Sequence, residues 1–318
     1  MLLKQKRTTQ GYLIFPRTLR EFQRRFATEK ACLKYLFYTR WPQGFECPAC
    51  HGRKAWSVSH RSYRCSSCRR EIHLTAATVM HGSHLPLQYW FWAAYLMGTL
   101  TPGISALQLQ RQLGMGSYET ALYLCRRLRK AMVNPTREPL QGIVEVDEAF
   151  VGGKGTSPKG HHVETKAAVM AAVENRGEHT GRIRLQAVPQ VTREILHAFI
   201  RNNIARGSHI RTDGLFAYRG IEAYGYEHSP RVQGRSYEGH KRAIEFLPWV
   251  HRVIGNLKTW LRGTHHGVTK KHIQSYLDEF TFRYNRRYYR EQSFLSLLVL
   301  TTKIPPLRSK SKLVASSG

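Results

Sequence analysis

Between residues 87 and 130 the apolar positions recur at helical spacing. Leu87-Gln-Tyr-Trp-Phe-Trp-Ala-Ala-Tyr-Leu-Met97 is apolar on nearly every side and predicts a core helix. Ile104–Leu113 and Ser117–Lys130 follow, joined by Gly114-Met-Gly; the second opens on a Ser cap and closes in Arg and Lys. Two helices across a tight Gly turn fit a helix-turn-helix, although an ordinary helical hairpin has the same period. Upstream, Phe22, Phe26 and Leu33 predict one short helix. Asn134-Pro-Thr-Arg-Glu-Pro139 reads as a linker, because residues before proline leave the helical region. The pattern then predicts strands over 143–151, 166–174 and 182–188, a helix over 192–203, a strand over 208–213 and a helix over 214–223. Such an order describes a mixed α/β domain. A helix is expected from Ala243 to Arg262, ending at Gly263, with Pro248 in its first turn and Val250, Ile254, Leu257 and Leu261 on its apolar face. A last regular helix is expected from His272 to about Tyr289, and the Pro/Lys/Ser-rich tail from Lys303 reads as disordered.

Charge changes the picture most. The 318 residues carry 50 Lys and Arg against 21 acids, a net charge of +29, on a chain that is 42% apolar and so able to build cores. Self-repulsion on that scale opposes compaction and points to a polyanionic partner, nucleic acid first. Arg126, Arg127, Arg129 and Lys130 tilt the second helix of the hairpin toward DNA. An anionic membrane is the competing partner. No apolar run approaches the roughly 18 residues of a spanning helix, and Met1-Leu-Leu-Lys-Gln-Lys-Arg lacks the apolar region of a signal peptide, so a cytoplasmic protein is expected.

Two chemistries stand out. Cys47-Pro-Ala-Cys50 and Cys65-Ser-Ser-Cys68 are paired knuckles with 14 residues between Cys50 and Cys65. Four thiolates so spaced suit a structural Zn2+, and a reducing compartment disfavours the alternative of two disulfides. Cys32 and Cys125 sit in apolar helical contexts and read as packing residues. Arg53, Lys54, His60, Arg61, Tyr63, Arg64, Arg69 and Arg70 give the ribbon a basic, partly aromatic surface that suits DNA, although zinc ribbons also mediate protein contacts.

The second chemistry is acidic. Ile143-Val-Glu-Val-Asp-Glu-Ala-Phe-Val-Gly-Gly-Lys154 delivers Asp147 on a strand that breaks at paired glycines, and Ser208–Tyr218 carries Asp213 at a strand end before Gly214. Two such aspartates begin a site for hard divalent ions. Alternation puts Glu145 on the face of Asp147 and Glu148 on the other, so Glu145 is the better supporting group. The glycines of 152–162 do not match a phosphate-binding P-loop. On the 243–262 helix, His251, Gly255 and Lys258 share one stripe, placing a possible ligand and a cation two turns apart; the competing reading of His251 is a packed or solvated side chain.

The order of these features, with Val-Asp-Glu-Ala-Phe-Val-Gly-Gly-Lys, Thr-Asp-Gly-Leu-Phe-Ala-Tyr, His-Arg-Val-Ile-Gly-Asn-Leu-Lys-Thr-Trp-Leu-Arg-Gly-Thr-His-His-Gly-Val and Tyr-Leu-Asp-Glu-Phe-Thr-Phe-Arg-Tyr-Asn-Arg-Arg, resembles a bacterial insertion-sequence transposase. That group has an N-terminal zinc ribbon and an RNase H-like, DDE-type core, and the likeness spans about residues 20–290. It implies a zinc ribbon over 20–78, a helix-turn-helix-like DNA-binding region over 79–135, an RNase H-like catalytic domain over 140–300 and a disordered basic tail over 301–318. Asp147 and Asp213 take the places of the first two catalytic acids. The third falls on His251, seven residues before Lys258, or on Asn256, since some members have Asn there. Either would compensate metal charge less than a carboxylate, and His251 would make Mn2+ relatively more favourable against Mg2+. The implied activity is metal-dependent DNA cleavage and strand transfer at element ends, with Lys258 holding a phosphate or positioning the DNA end. The expected partners are inverted-repeat ends, target duplex and further copies of the chain. A non-catalytic DNA-binding derivative and an RNase H-type nuclease that cuts without joining are the alternatives.

Overall fold

The computed structural model describes residues 15–152, 166–231 and 245–306. The chain forms two compact units, residues 1–134 with 288–318 and residues 135–287. None of the described helices is long and apolar enough to cross a membrane.

The first unit opens with α1 (Leu19–Arg25) and α2 (Glu29–Arg40). Two helices replace the single one expected because Thr28 restarts the chain, its hydroxyl accepting from the Ala31 amide as Thr18 does from Glu21. A three-stranded antiparallel sheet follows, with β2 (Ser62–Cys65) between β1 (Ala55–Ser59) and β3 (Glu71–His73). Next come α3 (Leu87–Thr99), α4 (Ala106–Leu113) and α5 (Tyr118–Ala131), with Gly114 in the left-handed conformation that ends α4. The helix expected to run to Tyr289 stops at Tyr284, and a further helix, Glu291–Lys303, packs against α2, α3 and α5. Its Phe294 ring lies 5.4 Å from both Phe22 and Phe26 in an aromatic core. A Cβ on Gly98 of α3 would stand 3.2 Å from Ser293 Cβ, so the two helices touch through small residues. Residues 307–318, and with them most of the tail read as disordered, lie outside the described residues.

The second unit is a five-stranded sheet in the order β6–β5–β4–β7–β8: β4 (Ile143–Val151), β5 (Ala167–Asn175) and β6 (Thr180–Val188) antiparallel, then β7 (His209–Thr212) and β8 (Glu227–Pro230) parallel to β4. α6 (Arg193–Asn203) makes the crossover and packs Leu196, Phe199 and Ile200 on Val144, Val146 and Met170. α7 (Pro248–His265) and α8 (Ile273–Tyr284) cover the other face, against Ala149, Val169, Ala171 and Ile183. The C-terminal helix Glu291–Lys303 of the first unit is α9. This RNase H-like order buries β5 on both faces, which explains its nearly unbroken apolar run Ala-Ala-Val-Met-Ala-Ala-Val.

The expected helix over 214–223 is instead two 3-10 turns, Phe216–Tyr218 and Ile221–Tyr224, separated by Gly220 at φ +89°. β8 escaped the sequence reading because Glu-His-Ser-Pro has neither alternation nor β-branched residues, and it survives at a sheet edge where proline is tolerated. α7 runs two residues past Gly263 to a His266 cap; residues 232–244, where its start was expected, and the glycine-rich 153–165 lie outside the described residues.

Candidate functional site

The acids converge because two neighbouring strands differ in length. β4 has nine residues and β7 four, and their parallel pairing runs from Ile143–His209 to Glu145–Arg211. Asp147 therefore lies in mid-strand, not at the strand end expected, but just past the last β4 residue paired with β7. Asp213 leaves the end of β7 through a turn at Gly214, φ +84°, and its Oδ1 accepts from the Leu215 amide at 3.0 Å. The Glu148 side chain joins them: Asp147, Glu148 and Asp213 each bring a carboxylate oxygen within 4.8 Å of the others. Alternation does send Glu148 to the opposite face, where the buried Tyr218 hydroxyl donates to its Oε2 at 2.7 Å. Past Glu145, however, no β7 residue pairs with β4, and there the carboxylates of both Asp147 and Glu148 come within 4.8 Å of Asp213. Sequence alternation alone could not reveal that.

Glu145, expected to support Asp147, serves a different group. It is fully buried, and its Oε2 accepts from the amides of Trp249 and Val250 at 2.8 Å while Oε1 accepts from Asn175 Nδ2 at 2.7 Å. A strand carboxylate thus caps the first turn of α7 and complements its dipole. That cap fixes the helix carrying His251, whose Nε2 lies 3.4 Å from Asp147 Oδ2. Lys258, on the same stripe, acts electrostatically on Asp147. Asn256 is exposed and five residues from His251, off that stripe.

Burial above all, then the charge of Glu148, pushes the Asp147 carboxyl up to about 7; Asp213 adds to the rise, and the Glu148 amide and Lys258 oppose it. Glu148 is raised as well, by burial first and then against the Tyr218 hydrogen bond by Asp213. Asp147 and Glu148, whose ionisation is opposed, crowd the Asp213 carboxylate into one oxygen donor set that a hard divalent cation satisfies, so the residues fit such an ion. Without metal, Asp147 holds its proton in the folded state up to about pH 7 but loses it near 3.8 when unfolded, so this group's stabilising contribution falls as pH rises through that window. A divalent ion bound there would expel the proton. Apparent Mg2+ or Mn2+ affinity should rise about tenfold per pH unit between pH 5 and 7 and level off above, read by titration calorimetry in two buffers of different ionisation heat. A flat profile would mean that Asp147 does not change protonation on binding.

In the ribbon, Cys47 and Cys68 sulfurs lie 3.7 Å apart and Cys50 and Cys65 sulfurs 3.5 Å, far beyond a disulfide's roughly 2.05 Å. Tetrahedral zinc with bonds of about 2.3 Å needs sulfurs about 3.8 Å apart, so the four thiols fit it. The knuckles repeat one geometry: His51 N donates to Cys47 O and Arg69 N to Cys65 O, with His51 and Arg69 both left-handed. The Cys68 amide above all holds the Cys65 thiol down to about 6, against desolvation and with help from the Ser67 amide. A Cβ on Gly52 would meet Ser67 Oγ at 2.8 Å and the Cys65 sulfur at 3.2 Å, so this position admits only glycine without displacement.

Residues 27–71 match the transposase zinc-ribbon domain, and residues 139–285 match the ISXO2-like transposase domain. Together these segments take in more than half of the chain. The chain is an insertion-sequence transposase that carries a transposase zinc ribbon and an ISXO2-like transposase domain. Among solved structures, a chain of the cryoEM structure of simian T-cell lymphotropic virus intasome in complex with PP2A regulatory subunit B56 gamma is similar at 14% identity and a TM-score of 0.29, covering 54% of the transposase and 67% of that chain. No curated protein matches it.

The transposase's helical hairpin corrects one part of the charge argument. Of the four basic residues that tilted α5 toward DNA, only Arg126 is exposed. Arg127 is buried and donates to the carbonyls of Val79 and His81 at 2.7 and 2.6 Å; Arg129 is 1% exposed; Lys130 donates to Pro306 O. The outer face of α5 instead offers Tyr118, Tyr123 and Arg126. Arg126→Ala should leave stability unchanged and lower the slope of log K against log salt by about 0.9, if it meets one phosphate. Arg127→Ala should cost about 2–3 kcal/mol in thermal or urea unfolding, because the buried Val79 carbonyl and the partly buried His81 carbonyl lose a charged donor. Equal effects of the two on DNA binding, with none on stability, would contradict this division.

Proposed function

We propose that this transposase is catalytically active, cleaving DNA at the ends of its element and joining the freed strands to a target. The observation that carries the reading is the convergence of Asp147, Glu148 and Asp213 within 4.8 Å beside His251, in a chain of net charge +29. A non-catalytic DNA-binding protein gains nothing from three clustered carboxylates facing a polyanion. Divalent ions, when bound, supply charge neutralisation and Lewis acidity for in-line phosphoryl transfer. Asp147, Asp213 and Glu148 would hold them, with Tyr218 fixing the Glu148 carboxylate. His251 lies within reach of Asp147, as a further nitrogen ligand or as a proton carrier at Nε2. Lys258 offers an ammonium to a DNA phosphate, and the Glu145 cap holds the helix bearing both in register with β4. Mg2+ and Mn2+ both suit the oxygen donors, and nitrogen from His251 shifts the balance toward Mn2+. Site recognition falls to the zinc ribbon and the helical hairpin, and two element ends call for more than one copy of the chain.

The test is incubation of the purified chain with duplexes bearing the inverted repeats that flank its reading frame, in Mg2+ and in Mn2+. Nicking at the repeat end followed by joining to a second duplex is expected. Nicking without joining would assign an RNase H-type nuclease, and tight binding without any nick the non-catalytic alternative.

A further inference from the structure

We infer that Phe216 is a stacking platform for an unpaired nucleobase beside the acid cluster, resting on the phosphoryl-transfer reading of that cluster. The ring is 62% exposed, and its neighbour Leu215 is 38% exposed. Such exposure is not a matter of a loose loop. Leu215 N donates to Asp213 Oδ1, Tyr218 N donates to Leu215 O, and the buried Tyr218 hydroxyl binds Glu148. The turn is therefore pinned to the carboxylates at both ends and holds the ring outward between them. Phe216 lies three positions past Asp213, at most about 10 Å of extended chain, comparable to about three nucleotide steps of 3.4 Å. A base resting there would belong to a nucleotide within about three positions of a phosphate held at the acids.

The surroundings select nucleic acid over another protein surface. The guanidinium of Arg193 lies 5.0 Å and that of Arg219 4.8 Å from the ring centroid, both side chains are exposed, and neither forms an ion pair among the described residues. A ring left 62% exposed with two arginine guanidiniums over it matches the combination used for single strands, in which a base stacks on the open part of the ring and its phosphate meets arginine. Bases inside a duplex are covered on both faces by their neighbours, so an interior base can reach the ring only after leaving the stack. Stacking is indifferent to base identity. The platform would thus favour frayed or flipped ends at the site of chemistry without specifying sequence.

Duplexes with a three-nucleotide unpaired tail containing 2-aminopurine, and blunt controls, test this with the full-length protein at low salt. Wild-type protein should bind the tailed duplex more tightly than the blunt one and quench the 2-aminopurine emission. Phe216→Ala should abolish the quenching and weaken tailed binding roughly five- to hundredfold, with blunt binding unchanged; Phe216→Trp should restore both. Arg193→Ala and Arg219→Ala should weaken tailed and blunt binding alike. Retained quenching in Phe216→Ala, an equal loss on both duplexes, or a changed oligomeric state by light scattering would each overturn the proposal. The readout needs no cleavage, so a protein that never nicks yet shows the Phe216-dependent quenching defeats only the catalytic reading. One that nicks and joins while Phe216→Ala quenches normally defeats only the platform.

Discussion

Asp147→Ala and Asp213→Ala should each abolish strand cleavage and joining, a loss of many orders of magnitude, while DNA binding stays nearly intact. Both side chains belong to the carboxylate cluster, so removing either takes an oxygen donor from any divalent ion held there. Binding without metal should tighten slightly, because a negative charge facing the phosphates is gone. Glu148→Ala belongs in the same series: its carboxylate is fixed by Tyr218 and lies within 4.8 Å of those of Asp147 and Asp213, so a loss of at least a hundredfold is expected. His251→Ala and Asn256→Ala separate the two candidates for the third position. His251 reaches Asp147 at 3.4 Å, whereas Asn256 is exposed and off that stripe, so the expected order is a severe loss at 251 and a mild one at 256. His251→Glu should keep activity and move the preference toward Mg2+. Single-turnover nicking of a labelled repeat end, alongside a binding assay, checks the series. The reverse ranking would give the role to Asn256. Full activity in Asp147→Ala would remove the cluster from the chemistry altogether.

Chelation of the purified chain, or Cys47→Ser, should release about one Zn2+ per chain and unfold the ribbon. Four sulfurs as close as 3.5–3.7 Å are held apart from disulfide contact only by the turns around them. In the absence of zinc they would repel as thiolates or need protons. Structural zinc binding is worth about 10–16 kcal/mol in small modules, well above what a three-stranded sheet of 12 residues can supply from its own packing. Metal analysis with far-UV circular dichroism before and after chelation checks this. Cysteines oxidised in pairs and no zinc would refute it. The carboxylate cluster is built wholly within residues 135–287, so its Mg2+ response should outlast the ribbon's unfolding.

The sequence by itself determined the elements and much of the chemistry. Cys-x-x-Cys spacing is local, and the ribbon's geometry follows from turns a few residues long. β4 was legible from Ile143 to Val151 because its apolar run is bounded by the linker and by Gly152, whose φ of +80° and close approach to Val268 O leave no room for a side chain. The periodicity of α7 was legible for the same local reason. Tertiary structure decided which of these parts meet. Whether Glu145 or Glu148 joins Asp147 depends on where β7 stops pairing with β4, and that is set by a strand more than 60 residues away in sequence. Whether Arg127 faces DNA or the core depends on the loop carbonyls of Val79 and His81, and whether 291–300 joins the catalytic domain, as the sequence reading had it, or the N-terminal helices depends on an aromatic pocket formed by Phe22, Phe26 and Phe91. Periodicity records which face of an element is apolar. Long-range register and packing alone determine what that face, and the charges beside it, come to touch.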